Sequence, residues 1–488
     1  MDMSALESDA KATPAWRLWL ACVTVALMPL SFNLGYYLAH WLPQAGFQLL
    51  PKGLQEHLLD EKPLYFSPQD PLLALWLLIL AWDLFKGRLK DWLPPAPNLV
   101  WAGVAVLSFL WLPEGGRGAW FKAAFLQTAL LIVCGVWIFR HIGTETRTYR
   151  KLALVLGASL GLCLLYALYQ YVGPVGRPLK PGEKDLALAG GVTNVRVAGW
   201  YGYRGQLAAQ VALLVPAAAA YAALGRSAEV RVAAGALAVL GLCVCLSAGG
   251  VIAASAGVLA VAAALYAARD RLHGGPLVTT PAWKGALLVG ALVLVWGVVL
   301  PRLPRDHVAS LWDSLTFYRK VETPKGLREE STARLRRHQA ALKLLSKDER
   351  WKTGVGAGQF QGSVNVFYDV AYPKPGANTD DEAAFDQEAD EPFTFGLYET
   401  TAVELGLGGL LAALWVYLAW GASAFSALLR LDDPDARALA LASLGAAVGA
   451  AVFSIFGHPL VRGCGGTLCF FMGLAFFLNA RAAERKSA

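Results

Sequence analysis

The stretch ARALALASLGAAVGAAVFSIF, from Ala436 to Phe456, decides the fold class. Its only charged residue is Arg437, near its start, and a run of about 20 apolar residues is long enough to cross a bilayer as a helix. Several similar runs occur along the 488 residues, of which 56% are hydrophobic and 16% charged, with a mean hydropathy of +0.44. These values lie outside the range of soluble proteins and predict an all-α polytopic integral membrane protein.

The apolar runs predict about 12 transmembrane helices. Lone Gly, Ala and Ser residues are frequent within them, as close packing of helices in lipid favours. The seven cysteines lie almost entirely in these runs and are interpreted as small apolar residues. The predicted segments are 16–41, 70–85, 98–112, 119–139, 152–172, 205–224, 231–247, 250–268, 284–301, 401–425, 436–456 and 466–480.

The distribution of Lys and Arg predicts the orientation. Short cytoplasmic loops concentrate these cations, so both termini should be cytoplasmic and the long polar insert should face the opposite side, which is the periplasm if the membrane is a Gram-negative inner membrane. The chain then divides into helices 1–9 (1–300), a large periplasmic loop with short amphipathic helices (301–398), and helices 10–12 with a cytoplasmic tail (399–488). The cations are Lys86, Arg88, Lys90, Arg140, Arg147, Arg150, Lys151, Arg226, Arg231, Arg269, Arg271, Lys284, Arg430, Arg437, Arg481, Arg485 and Lys486.

The insert divides into a basic and an acidic half. Residues 302–352 carry 13 Lys or Arg against 7 Asp or Glu, which favours a phosphate or another polyanion. Residues 353–398 carry one Lys against 8 acids, without the regular alternation of a calcium loop. We therefore expect neither a metal site nor another cofactor, and interpret the acidic residues 380–391 as a solvated loop.

An arginine-rich segment with one histidine is the first candidate for chemistry. It predicts a helix in which Leu335, Leu342 and Leu345 form one stripe that also contains His338, with Arg334 one turn earlier on the same face. Such a helix would lie at the membrane surface with the leucines inward. Either it is an ordinary interfacial helix whose arginines bind lipid headgroups, or its histidine and arginines form a site.

A second candidate lies where the loop 173–204 enters the next apolar helix. Arg204 lies at the mouth of that helix, next to Tyr203, and Arg196 precedes it. An arginine there is either an anion-binding residue, helped by the free N–H groups of the helix start, or an anchor in an aromatic belt. Tyr203 and His458, the latter in another outward loop, are weaker candidates for residues that line a substrate cavity. For His458 a structural role is the preferred interpretation.

The order of these features resembles the O-antigen ligase and polymerase superfamily of bacterial envelope glycosyltransferases. Four motifs over roughly residues 195 to 425 carry the resemblance. They are the helix start at Gly199–Ala208, the Leu-Ser hairpin at Leu246–Gly250, the Gly-Val-Gly-x-Gly-x-Phe turn at Gly354–Phe360 after the arginine helix, and Glu-Leu-Gly-x-Gly-Gly at Glu404–Gly409. The layout of twelve helices with a large loop before the tenth is similar to the ligases.

The chain departs from the ligase pattern at one position. Ligases usually carry a histidine at a fixed spacing before Gly-x-x-Gly, and Phe395 occupies that position here. We expect His338, on the arginine helix, to take its place.

The resemblance implies an O-antigen ligase. Its donor would be an undecaprenyl-diphosphate-linked O-antigen, and its acceptor a sugar hydroxyl of lipid A-core. His338 would be the general base, and Arg204, Arg334 and Arg337, with Arg196 as a weaker member, would stabilise the departing diphosphate. One displacement without a covalent intermediate implies inversion, and arginines in place of a metal imply metal-independent transfer. Membrane lipids are expected partners, and nucleic acid is not.

Three alternatives remain open. An O-antigen polymerase would use the same donor with a second lipid-linked glycan as acceptor. A protein O-oligosaccharyltransferase of the same superfamily would transfer to protein hydroxyls. A transporter of lipid-linked glycans, from a different class, usually shows internal repeats and broken helices near the midplane, and no convincing repeat occurs here.

Overall fold

The architecture is taken from a computed structural model. The structure describes residues 14–30, 67–89, 92–113, 115–142, 145–172, 204–245, 247–269, 318–323, 326–331, 333–360, 363, 396–460 and 464–487.

Helices dominate the described residues. In chain order they are α1 (Ala15–Leu27), α2 (Asp70–Phe85), α3 (Ala96–Leu107), α4 (Arg117–His141), α5 (Thr146–Val172), α6 (Arg204–Leu224), α7 (Ala228–Val244), α8 (Ala248–Ala267), α9 (Ala333–Ser346), α10 (Leu397–Arg430), α11 (Pro434–Phe456) and α12 (Cys464–Ser487). A 3-10 helix at Ser108–Trp111 extends α3, and a second at Lys347–Glu349 with a helical turn at Arg350–Thr353 follows α9.

Seven of the described helices are long and apolar enough to cross a membrane: α4, α5, α6, α8, α10, α11 and α12. The prediction of an α-helical membrane protein is therefore confirmed. The helices α1, α2, α3 and α7 lie at predicted spans but are shorter in the described residues. The predicted span 284–301 lies outside the described residues.

Two elements depart from the predicted pattern of regular α-helices. An antiparallel hairpin of β1 (Tyr318–Thr323) and β2 (Gly326–Ser331) precedes α9, with Tyr318 opposite Ser331. This short hairpin is a local addition to the helical fold. The middle of α4, Phe121–Gly135, is wound as a π-helix, and the Thr128 hydroxyl donates to the carbonyl of Ala123, five residues earlier, over 2.9 Å.

The centre of the bundle is a close contact of α6, α8 and α11. A Cβ on Gly257 of α8 would collide with Pro216 of α6, and one on Gly445 of α11 would crowd the same proline. A Cβ on Gly449 would overlap the carbonyl of Ala212. Because these positions are glycines, the three backbones approach closely, as small residues allow in membrane helices.

One edge of the bundle, which we call the charged edge, is held by ion pairs. Arg150 of α5 lies 3.2 Å from the carboxylate of Asp435 at the start of α11. Arg226, just after α6, lies 3.5 Å from the same carboxylate. Arg481 near the end of α12 donates to the Thr146 hydroxyl over 3.0 Å. These contacts bring the predicted cytoplasmic loops together in space.

The opposite edge, which we call the site edge, is formed by the other ends of the same helices. The Leu397 N–H at the start of α10 donates to the carbonyl of Gly457, just after α11, over 3.1 Å. The Cys464 thiol at the start of α12 donates to the carbonyl of Gln206 in the first turn of α6, over 3.5 Å. Since α10 has 34 residues and an α-helix rises about 1.5 Å per residue, the two edges are a membrane thickness apart.

Candidate functional site

Helix α9 packs onto the site edge through a face of small and apolar residues. Ala340, Ala341 and Leu344 are buried against Val355, Phe360 and Val403. Leu342 is 66% exposed, so the prediction that it faces inward is wrong, whereas Leu345 packs against this cluster as predicted. The face turned to the protein runs through Ala341 and Leu344, because the site edge offers α9 a protein surface that its small residues fit. The side chain of Leu335 lies outside the described residues.

The turn Gly354–Phe360 joins α9 to α10 through backbone hydrogen bonds. The Val355 N–H donates to the carbonyl of Val403, and the Gly356 N–H donates to the carbonyl of Glu404, each over 2.9 Å. Gly354, Gly356 and Gly358 have φ of 74°, 98° and 76°, a region that L-residues with a Cβ rarely adopt. The spacing of the glycines in the motif is therefore the spacing of left-handed positions in the turn.

Helix α10 is interrupted where this turn packs against it. Gly406 has a φ of 67° and a ψ of −167°, which interrupts the helix about two and a half turns after its buried start. A Cβ at Gly406 would lie within 2.5 Å of the carbonyl oxygen of Lys352. The break frees the carbonyls of Val403 and Glu404 from the helical ladder, and the glycine turn uses them.

The side chain of Glu404 completes this clamp. Glu404 is buried, and its Oε1 accepts a hydrogen bond from the Phe360 N–H over 3.2 Å. The carboxylate also accepts from the backbone N–H of Gly358. Buried carboxylates need such donors. Glu404 therefore holds the turn at both ends: its backbone carbonyl accepts from Gly356, and its side chain accepts from Gly358 and Phe360.

The opposite side of the turn rests on the end of α3 and the start of α4. The Ala357 N–H donates to the Ser108 hydroxyl over 3.0 Å. The side-chain amide of Gln359 donates to the carbonyl of Gly116 over 2.8 Å. The turn is thus held on two sides, and α9 is positioned by a rigid support.

His338 points from α9 toward the start of α10. Its Nδ1 lies 2.8 Å from Oε1 of Glu399, and the two side chains are 29% and 15% exposed. Glu399 lies in the first turn of α10, where the helix dipole favours an acidic residue. The structure therefore pairs the predicted base with a carboxylate that sequence reasoning missed.

The candidate arginines are only partly described. Arg204 is the first residue of α6, at the site edge, and Arg334 and Arg337 lie in the first turns of α9. The side chains of these three arginines lie outside the described residues, and so do Arg196 and Tyr203 entirely. The structure shows that α6, which carries Arg204, begins at the site edge, and that α9, which carries His338, packs onto the same edge.

His458 lies at the site edge, directly after the carbonyl of Gly457 that caps α10. Its Nδ1 is buried, and burial lowers the pKa of His458 to about 4. A histidine in this state stays neutral at physiological pH.

Glu399 had no signal in the sequence, because its contact with His338 joins residues 61 apart through the docking of α9. Glu404 was visible as part of a motif, but its role depends on a turn whose backbone N–H groups cannot be located from sequence. The described residues contain no group of three or more His, Cys, Asp or Glu placed to hold a metal ion. The acidic residues 380–391 lie outside the described part of the chain.

Comparison with sequence-family profiles and with curated proteins gave no match. The resemblance to the ligase and polymerase superfamily thus stands on the four motifs alone.

Proposed function

We propose that this chain is a metal-independent glycosyltransferase of the O-antigen ligase type, with twelve transmembrane helices and a large periplasmic loop in a Gram-negative inner membrane. It would transfer an undecaprenyl-diphosphate-linked glycan to a sugar hydroxyl of lipid A-core. The observation that carries the proposal is the position of His338, on a helix clamped to the site edge, with its imidazole against Glu399.

The location of this pair supports a periplasmic reaction. The basic loops meet at the charged edge, which the concentration of Lys and Arg assigns to the cytoplasm. His338 lies at the opposite end of the helices, where the glycan of a lipid-linked donor on the periplasmic leaflet and lipid A-core could meet. The polyprenyl chain would remain in the bilayer beside the apolar outer surfaces of the helices.

The reaction asks two things of the protein. The acceptor hydroxyl must lose its proton as its oxygen attacks the anomeric carbon, and His338 can accept that proton. The bond from the anomeric carbon to the diphosphate oxygen breaks, and the diphosphate leaves with both electrons of that bond. Arg204, Arg334 and Arg337 would stabilise the growing negative charge, since guanidinium groups bind phosphate oxygens bidentately. Attack from the opposite face inverts the anomeric configuration.

Transfer in vitro tests the proposal. Purified protein, a lipid-linked glycan and lipid A-core should give a ligated product, and EDTA should not prevent it. His338→Ala and Arg204→Ala should each lower the rate by roughly 100-fold or more. Gln339→Ala is the matched control for His338→Ala, because Gln339 is the exposed neighbour on the same helix.

The acceptor distinguishes the alternatives. Longer lipid-linked glycans formed without lipid A-core would indicate a polymerase, and product on a protein acceptor would indicate a protein O-oligosaccharyltransferase. Full transfer by His338→Ala would show that another group is the base. Movement of the donor across a vesicle membrane without transfer would replace the proposal with a transporter.

A further inference from the structure

The carboxylate of Glu399 has an unusual environment. Both of its oxygens are buried, and no backbone N–H or hydroxyl group in the described part of the structure donates to either of them. Among the described residues, the imidazole of His338 lies against it, with Nδ1 2.8 Å from Oε1. A buried carboxylate that lacks backbone or hydroxyl donors is costly, so its contact with His338 needs a physical reason.

The backbone around Glu399 is fixed. A Cβ on Gly396 would lie 2.5 Å from the carbonyl oxygen of Ile455, so the start of α10 lies directly against the end of α11. The Leu397 N–H is bound to the carbonyl of Gly457. Glu399 therefore projects from a rigid point.

The backbone around His338 is fixed by a different set of contacts. One turn after the histidine, Ala341 is buried, and Leu344 is buried in the following turn, both against the glycine turn and α10. Neither support depends on the contact between His338 and Glu399 itself. Two independently held elements thus bring an imidazole and a carboxylate within hydrogen-bond distance.

We infer that Glu399 is a positioning residue for His338: it accepts the Nδ1–H and so leaves Nε2 unprotonated to take the proton of the acceptor hydroxyl. This inference rests on the proposed function. In the neutral imidazole one nitrogen donates and the other accepts, and an acceptor fixed beside Nδ1 selects the tautomer whose base is Nε2. During transfer the hydroxyl proton moves to Nε2, the imidazole becomes a cation, and the Glu399 carboxylate stabilises that charge. The proton then passes to water.

The same geometry serves a second purpose. The carboxylate restrains rotation of the ring, so that Nε2 keeps one direction relative to the site edge. An acid replaced by its amide loses its exclusive role as an acceptor, because the amide can turn its NH₂ toward Nδ1 and favour the opposite tautomer. In serine proteases the corresponding change at the orienting acid lowers kcat by about 10⁴-fold while the geometry is kept.

The test combines kinetics with the ring ¹⁵N resonances of His338, recorded near neutral pH in protein labelled with ¹⁵N-histidine. His338→Gln assigns the resonances. In the wild-type protein we expect a protonated Nδ1 and an unprotonated Nε2. Glu399→Gln should lose this pattern and lower kcat by at least about tenfold with little change in KM, and Glu399→Asp should restore part of both. Glu349→Gln, at an exposed carboxylate after α9, is the matched control and should change neither.

Each result decides between the inference and the proposed function. Unchanged ring resonances and kcat in Glu399→Gln would overturn the inference even where His338→Ala abolishes transfer. If Glu399→Gln loses thermal stability and kcat together but keeps the wild-type tautomer of His338, the inference is also overturned. Glu399 would then have only a structural role. If the wild-type protein transfers no glycan but its tautomer changes in Glu399→Gln, the proposed function fails and the control of the ring by Glu399 stands.

Discussion

At the scale of single residues, buried polar groups show which parts of the site are structural. Glu404 is a carboxylate inside the protein whose oxygens are engaged by backbone N–H groups of the glycine turn. Glu399, one and a half turns earlier, has no such donors and faces His338. Two glutamates of the same short helix segment therefore have different functions: one holds the support of α9, and the other faces the candidate base.

Replacing Glu404 by glutamine should weaken the clamp. The amide keeps one acceptor but places an NH₂ against backbone donors, and leaving buried donors unsatisfied costs about 1–3 kcal/mol. We expect Glu404→Gln to lower the unfolding free energy by that amount in detergent, with transfer reduced through displacement of α9. Glu349→Gln, at a carboxylate 70% exposed, should stay within about 0.5 kcal/mol of the wild type. Equal stability of the two variants would show that the Glu404 hydrogen bonds contribute little.

His458 should make stability depend on pH. Its folded-state pKa of about 4 lies below the ordinary value near 6.5 because burial disfavours the charged ring. Below pH 6.5 the unfolded chain takes up a proton that the folded protein does not, so the free energy of unfolding falls as the pH drops from 6.5 toward 4. At pH 5 this contribution is on the order of 2 kcal/mol.

The measurement for His458 is the difference in midpoint of unfolding between pH 8 and pH 5. Other groups titrate in the same window, so the comparison is with His458→Gln, which should show a clearly smaller difference. An identical pH dependence in both proteins would mean that His458 can be protonated in the folded state.

At the scale of elements, the site depends on a break in α10 and on the glycine turn that packs against it. Gly406 interrupts α10 so that its carbonyls are free, and the left-handed glycines at 354, 356 and 358 let the turn approach those carbonyls. The motif Glu404–Gly409 is therefore the binding surface for the motif Gly354–Phe360. Helix α9, with His338, is carried by this junction and not by an independent domain.

Two glycines two residues apart should respond in opposite directions to alanine. Gly406→Ala places a Cβ at a left-handed position and against the carbonyl of Lys352, and should lower the unfolding free energy by about 2 kcal/mol or more. Gly408 is helical with open space around it, so Gly408→Ala should be neutral or stabilise by about 0.5–1 kcal/mol. Thermal unfolding in detergent measures both. A Gly406→Ala protein as stable as the wild type would contradict the break.

The sequence was a good guide to the helices and a poor one to their faces. Length and hydropathy located α2, α6 and α11 to within two residues, because the bilayer length and the loss of backbone hydrogen bonds in lipid restrict the choices. Of the predicted leucine stripe of α9, Leu342 is exposed, since the surface that receives the helix is built by the glycine turn just after it together with Val403 of α10. The pairing of His338 with Glu399 depends on the same docking, and periodicity carries no information about it.

At the scale of the whole molecule, polar residues with different roles lie at opposite ends of the helix bundle. The charged edge is held by ion pairs such as Arg150 with Asp435, and in addition Arg17 of α1 lies 2.6 Å from the buried carboxylate of Asp83 in α2. The site edge contains the paired His338 and Glu399, the glycine turn and the start of α6. Helices long and apolar enough to cross a membrane lie between them, so we predict that the two edges face different compartments.

Labelling from one side of the membrane tests this arrangement. Glu349 is 70% exposed at the site edge and Asp432 is 92% exposed at the charged edge, so a cysteine at either position should be reachable from its own compartment. In a background with the seven native cysteines replaced, we expect an impermeant maleimide to label Glu349→Cys in spheroplasts and Asp432→Cys only after the membrane is permeabilised. The background protein without an added cysteine is the control for nonspecific labelling.

The orientation follows from the Lys and Arg of the loops, whereas the separation of the two positions follows from the length of α10. Reversed labelling would therefore keep the fold and place His338 in the cytoplasm, where a periplasmic ligase could not use it, and labelling of both from one side would contradict the spanning of α10 itself.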